Sequence, residues 1–235
     1  MSSLVDVLAP GDDMNGKSYE DFVKGYWNWL LSRDSNNPLS GGVLYMRACY
    51  EYRYIVSVDN EVQRNNSLCG SRPHQPTVGR RVTTNTPIFC PMIDACFDDT
   101  YTDESGRNFD ESLMREACNR DIDLTERLAN GRFATVPNIT SGPDGPEDIV
   151  PQPDIERHRM EIPKRGTFPL EVPNGTPLRD KMEDPAPLGT GPFEAVAVGY
   201  YIVFKIKDRG EYTISNRARG PRNYVANMVY NITVS

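Results

Sequence analysis

Apolar residues first fall into a regular pattern at 18–32, SYEDFVKGYWNWLLS, where Tyr19, Phe22, Val23, Tyr26, Trp27, Leu30 and Leu31 recur at i, i+3, i+4, i+7, i+8, i+11 and i+12. That spacing predicts one helix with a broad apolar face, buried against a sheet. Ser18 stands just before the first periodic residue and Asp21 three positions on, a pair suited to satisfying the free backbone donors of a helix start. Arg33 and the polar run up to Pro38 end the pattern, since proline cannot continue a helix. Both tryptophans of the chain lie in this stretch. Burying large aromatic side chains stabilises a fold by about 1.5–3 kcal/mol each, so the remaining elements are expected to organise around it.

The next pattern is that of strands. Residues 43–58, VLYMRACYEYRYIVSV, are rich in aromatic and β-branched types and predict one long strand. Alternation puts Cys49, Glu51 and Arg53 on one face, with Tyr50, Tyr52, Tyr54 and Val56 on the other. A row of tyrosines is either a binding platform for sugar or protein, or a half-buried sheet face, and the second reading is preferred. Residues 59–79 read as a long surface loop around Cys69 and His74. The apolar run at 86–93 carries Pro87 and Pro91, which predicts a core strand near an edge or a bulge. Residues 94–104, DACFDDTYTDE, then gather Asp94, Asp98, Asp99, Asp103 and Glu104. Such a cluster can offer oxygens to calcium, but the spacing of a dedicated loop is missing. A solvated acidic loop is expected.

A helix is predicted from about 108 to 120 with Leu113, Met114, Ala117 and Cys118 inward. Asn130-Gly131 then stands either as a helix cap or as a hairpin turn; a hairpin, 124–129 with 132–136, is preferred. Ten of the 19 prolines lie in 141–191, which predicts a long excursion with one short strand at 167–172, read as an extended interaction arm rather than a passive loop. Residues 193–206, FEAVAVGYYIVFKI, form an almost continuous apolar run and predict a strand near the centre of the fold. A turn at 207–210 returns the chain along 211–216. Tyr224, Ala226, Met228, Tyr230, Ile232 and Val234 alternate to the end.

Four segments in order resemble an uncharacterised family of mostly secreted, β-rich bacterial and archaeal proteins: Tyr26-Trp27-Asn28-Trp29, Pro87 through Cys96, Ala117-Cys118, and Val198–Phe204 with Gly210–Ile214. The resemblance implies a buried Trp-rich helix, a C-terminal β-hairpin and a Cys96–Cys118 pair. It implies no activity. Unlike that family, this chain opens with no basic start, apolar run or small-residue cleavage site, so no secretory signal is expected. Of its five cysteines, Cys49 and Cys69 form a second conceivable pair and Cys90 is then odd. The reduced state stands as an equal alternative.

The expected fold is therefore mainly β: an antiparallel β-sandwich, jelly-roll-like, with one or two flanking α-helices. Its organisation is an N-terminal arm at 1–17, which either docks as a short edge strand through Leu4, Val5, Val7 and Leu8 or frays, and a single domain at 18–235. A net charge of −7 argues against tracking phosphates, so no nucleic-acid partner is expected. No apolar run reaches the ~20 residues of a membrane helix. His74 and His158 lie in polar, Pro-rich loops without partner spacing, and the motifs for zinc, nucleophilic hydrolysis and nucleotide phosphates are missing. No catalytic residue, cofactor or metal ligand is assigned, and an enzyme is not expected. The constraints point to a structural or interaction protein made in the cytoplasm, such as a virion surface component (capsid decoration or accessory protein), acting as a homo-oligomer in a larger assembly. The alternative is a carbohydrate- or calcium-binding module using the tyrosine face or the acidic loop, with a glycan as partner.

Overall fold

The computed structural model describes residues 4–32, 39–46, 49–53, 65–67, 80–128, 137–142, 145–171, 191–219 and 225–235. In chain order the first elements are β1 (Val5–Val7), α1 (Tyr19–Leu30), β2 (Leu39–Ser40), β3 (Val43–Tyr45), β4 (Cys49–Arg53), β5 (Asn65–Ser67), β6 (Arg80–Val82) and β7 (Ile88–Asp98). There follow α2 (Glu111–Leu128), β8 (Asn138–Ser141), β9 (Pro146–Asp148), a 3-10 helix (Gln152–His158), β10 (Arg159–Ile162), β11 (Phe168–Leu170), β12 (Phe193–Ile206), β13 (Gly210–Arg219) and β14 (Val225–Val234). The fold is mainly β with flanking helices, as expected. The strands form two sheets. The first runs β2-β3-β7-β12, with β1, β10 and β11 sharing the far edge of β12; the second runs β5-β4-β14-β13-β8-β9, with β6 beside β14. Both are mixed rather than wholly antiparallel, because β3 lies parallel to β7 and β6 parallel to β14.

Helix α1 forms for the reasons its sequence gives. Ser18 and Asp21 close a reciprocal capping box: the Ser18 amide donates to Asp21 Oδ2 at 2.9 Å and the Asp21 amide to Ser18 Oγ at 3.3 Å. These bonds hold the Asp21 carboxyl below its ordinary range. Phe22, Val23, Tyr26, Trp29 and Leu30 are buried in a cluster with Tyr45, Phe89, Phe168, Tyr201 and Val203. The other face of the first sheet carries a separate cluster, to which the second sheet adds Tyr212, Ile214, Tyr230, Ile232 and Val234, and α2 adds Met114, Cys118 and Ile122. Strand β12 serves both. Its even residues from Val196 to Ile206 enter the second cluster, and Ala195, Ala197, Tyr201 and Val203 the first. Burial on both faces is why it reads as an unbroken apolar run.

The proline-broken strand is β7, and it carries a bulge. Tyr200 lies opposite Ile93 but Tyr201 opposite Pro91, so Met92 is the extra residue. Pro91 thus sits where the ladder is interrupted, the place in a central strand that tolerates a residue without an N–H. The extra residue shifts the alternation of β7 by one: Ile88 and Cys90 precede it on the inter-sheet face, Ile93, Ala95 and Phe97 follow on the same face. Beside the bulge, Gly199 lies so close to β7 that a Cβ there would stand 2.7 Å from Asp94 Cβ and 2.7 Å from the Ile93 carbonyl oxygen.

Four expectations are corrected. The strand expected over 43–58 is two: β3 joins the first sheet and β4 the second, and 54–58 lie outside the described residues. The hairpin expected after residue 120 is not formed by its first arm, because α2 runs on to Leu128; Ile122 extends the buried stripe of Met114 and Cys118 by one further turn. Asp110 caps this helix, accepting from the Leu113 amide at 3.0 Å. The acidic loop is a strand in its first half, since Asp94 to Asp98 belong to β7. The C-terminal hairpin is a crossing between sheets: β12 pairs with β7, β1, β10 and β11, whereas β13 pairs with β14 and β8. With both edges of β12 occupied, the chain after Ile206 has no edge to return along. The N-terminal arm is docked, Val5 opposite Ile206 and Val7 opposite Phe204.

Candidate functional site

The carboxylates of 94–104 do not converge. Asp94 lies opposite Gly199 and Asp98 opposite Ala195 on the α1 side of β7, four residues and hence about 13 Å apart along a strand, too far to share one ion at calcium–oxygen distances of about 2.3–2.6 Å. Asp98 is spent on its own turn, accepting from the Thr100 amide at 2.9 Å and from the Thr100 hydroxyl. Asp103 likewise accepts from Ser105 N at 2.9 Å, Ser105 Oγ at 2.6 Å and Arg107 N at 3.0 Å, bonds that lower its pKa. Among the described residues, no group of three or more His, Cys, Asp or Glu side chains could hold a metal ion.

The tyrosine row begins on β4, whose register sets Tyr50 opposite Ala226 and Glu51 opposite Val225. The side chains at 49–53 lie outside those the structure describes. Tyr54, Val56, Cys69 and His74 lie outside the described residues.

Cys90, Cys96 and Cys118 are free thiols. The pair implied by the resemblance is not made, because Cys118 reaches the sheet from α2 on the inter-sheet side, donating to Val196 O at 3.4 Å, whereas Cys96 packs on the α1 side. Burial pushes the Cys118 thiol up to about 12 and raises those of Cys90 and Cys96 as well. Thiols so insulated are poor nucleophiles at neutral pH.

Two polar constellations are brought together that spacing did not announce. Beneath α1, the buried hydroxyl of Tyr201 lies near the Trp27 indole and Asp94, and burial, reinforced by Asp94, raises its pKa well above the usual phenol value. Nearby, Tyr45 is pushed up to about 12 by burial alone. At the far end of the helix, His158 meets Tyr19, its Nδ1 lying 3.1 Å from the tyrosine hydroxyl with the rings edge to face. His158 read as a loop histidine in sequence, yet it is 5% exposed. The available signal was Ile155, three residues earlier, which is buried on the same side of the 3-10 helix, where i and i+3 eclipse.

The excursion 141–191 is held from two sides. Arg159 bonds Asn119 at 2.8 Å and Asp123 at 2.7 Å, and Asn119 bonds Glu161 at 2.9 Å, tying β10 to α2. On the α1 side Asn28 donates to the Pro169 carbonyl at 3.3 Å and accepts from the Glu171 amide at 2.9 Å. The predicted short strand is β11, with Leu170 opposite Phe193.

No known protein family has a model that matches the chain. No curated protein and no solved structure matches it. Among the described residues, no helix is long and apolar enough to cross a membrane.

Proposed function

We propose that the chain is a structural or interaction protein, a two-sheet framework that presents the excursion to a partner and assembles as a homo-oligomer within a larger particle. The observation that carries this reading is how the excursion is anchored. β9 pairs with β8, and β10 and β11 lie along β12. Because Leu170 stands opposite Phe193, the two described ends of the excursion, near 171 and 191, are held side by side. Ends anchored in this way suit an excursion used as a contact element. The segments that carry the resemblance fall on α1, β7, α2, β12 and β13, although the Cys96–Cys118 pair and the hairpin it implies are not formed. Among the described residues, Cys90, Cys96 and Cys118 are free thiols, which suits a chain that folds in a reducing compartment, as a virion surface component of a sandwich or jelly-roll type would. Light scattering on the intact chain and on a version with 172–190 replaced by a short Gly/Ser linker tests it. A defined oligomer for the intact chain, weakened by the replacement, is the expected result. A monomer at high concentration that sediments with no particle overturns it.

A further inference from the structure

The edge of β12 away from β7 is completed at 203–207 by the start of the chain. Val5, Asp6 and Val7 lie opposite Ile206, Lys205 and Phe204. The ladder runs on at both ends, the Lys207 amide donating to the Leu4 carbonyl at 3.0 Å and the Leu8 amide to the Val203 carbonyl at 2.8 Å. Side chains fix the same segment. Val5 is buried in the cluster between the sheets and Leu8 in the cluster under α1. The Tyr19 hydroxyl donates to the Leu8 carbonyl at 2.8 Å, and His158 Nδ1 lies 3.1 Å from that hydroxyl. Lys207 Nζ stands 3.4 Å from Asp6. Residues 4–8 are thus held as a bound peptide is held, by backbone pairing in one register and by anchoring side chains.

The tie between this segment and the rest of its own chain is slight. Residues 9–13 are all exposed. Among the described residues their hydrogen bond is internal: the Asp12 amide donates to the Ala9 carbonyl at 3.1 Å, closing a turn with Pro10 and Gly11 at its centre. Gly11 has a φ of 95°, the left-handed value that the third residue of a type II turn requires. Past the turn the chain is fastened again. Met14 is buried, and Asn15 donates to the Asn85 carbonyl at 2.9 Å and accepts from Lys205 Nζ at 2.6 Å. The turn is therefore a hinge between two anchored segments. Opening it loses one exposed hydrogen bond, and five residues drawn straight span about 17 Å.

We propose that residues 4–8 exchange between two copies of the chain, each segment pairing with β12 of the other copy. Both forms make the same docking contacts, because the receiving strand and Tyr19 belong to an identical chain; the balance is set by the hinge and by concentration. An unoccupied edge at 203–207 is a template for another strand, and the segment that fits its register is the one every copy carries. The exchange rests on the homo-oligomer of the proposed function and names a contact that joins two of its subunits.

Co-expression of two full-length variants tests it. Asp6 is exposed and Lys205 half-buried, so an Asp6→Cys chain and a Lys205→Cys chain keep the core intact. Neither chain carries both changes, and only exchange sets position 6 of one opposite position 205 of the other. Purified together and oxidised, they should give a covalent dimer whose linked peptides map to 6 and 205 by mass spectrometry. An oligomer in light scattering without that link overturns the exchange and leaves the homo-oligomer standing; a monomer overturns both. Gly11→Ala, added to each variant, acts on the hinge alone, since a Cβ there meets nothing within 4 Å and only the backbone conformation is penalised. At a dilution where the parent pair is mostly unlinked, it should raise the linked fraction by about fivefold or more. An unchanged fraction shows that the chain does not open at this turn, and overturns the proposal.

Discussion

The two faces of β12 are buried by opposite strategies. Toward α1 a few large rings do the filling: Phe89 meets Tyr26 at 5.0 Å, Tyr201 at 5.6 Å and Tyr45 at 5.8 Å, and Trp29 stacks on Tyr45 at 5.4 Å. Room for them comes from small residues, Ala195, Ala197 and Gly199 on the strand and Gly25 on the helix, where a Cβ would stand 2.3 Å from the Tyr45 hydroxyl. Toward the second sheet and α2, most of the side chains are aliphatic, Tyr200, Phe204, Tyr212 and Tyr230 apart, and they are drawn from many elements. A layer of few, mutually touching rings concentrates stability in single residues. A core of many modest side chains spreads it.

The sharpest way to break that contrast is Phe89→Ala, which removes the ring at the centre of the aromatic layer. It should destabilise the fold by about 3–5 kcal/mol, read as a lowered midpoint in urea unfolding with loss of the near-UV dichroism of the packed rings. Gly25→Ala comes next, with an expected loss of about 1–3 kcal/mol from overpacking. Here Tyr45→Phe in the same chain should recover most of it, because the atom beyond the hydroxyl is 3.4 Å from the added methyl; a double variant no more stable than Gly25→Ala would show that the helix backbone, not the hydroxyl, resists the change. On the other face Ile202→Val, at a fully buried position, should lose only about 0.5–1.5 kcal/mol. If it costs as much as Phe89→Ala, the two layers are not different in kind.

An effect of similar size is expected at the start of α1. Ser18→Ala should lose about 1 kcal/mol. Because the lowered Asp21 carboxyl depends on Ser18, part of that contribution is present above the unfolded carboxyl pKa of about 3.9 and disappears as pH falls through the folded value. Urea midpoints between pH 5 and pH 2 should therefore fall less steeply in the variant than in the parent chain.

The contrast also explains which parts of the fold could be read from sequence. Helix α1 and its cap were legible because aromatic residues at helical spacing are concentrated in one stretch, and β12 because both its faces are apolar from 193 to 206. The bulge was legible in Pro91. Sheet membership was not: residues 43–53 carry the same strand-forming types on both sides of the break, and nothing local states that β3 and β4 join different sheets. The parallel pairings of β3 with β7 and β6 with β14 depend on partners 40 or more residues away in each case. The continuation of α2 was hidden by Asn130-Gly131, whose hairpin signal outweighed the single inward Ile122. His158 carried no motif, because its chemistry arises where three distant segments meet.

The central place of β12 has a consequence in time. α1 and β7 are complete by residue 98, but the strand that covers them does not begin until Phe193. At synthesis rates of about 5–20 residues per second, the aromatic face of α1 waits roughly 8–30 s after it is made before β12 exists. Sheet closure is then a late, long-range event of the kind that slows folding. Through that interval the aromatic face of the helix can be covered only in part, by Tyr45 and Phe89, and its exposed remainder is a surface that a chaperone could hold.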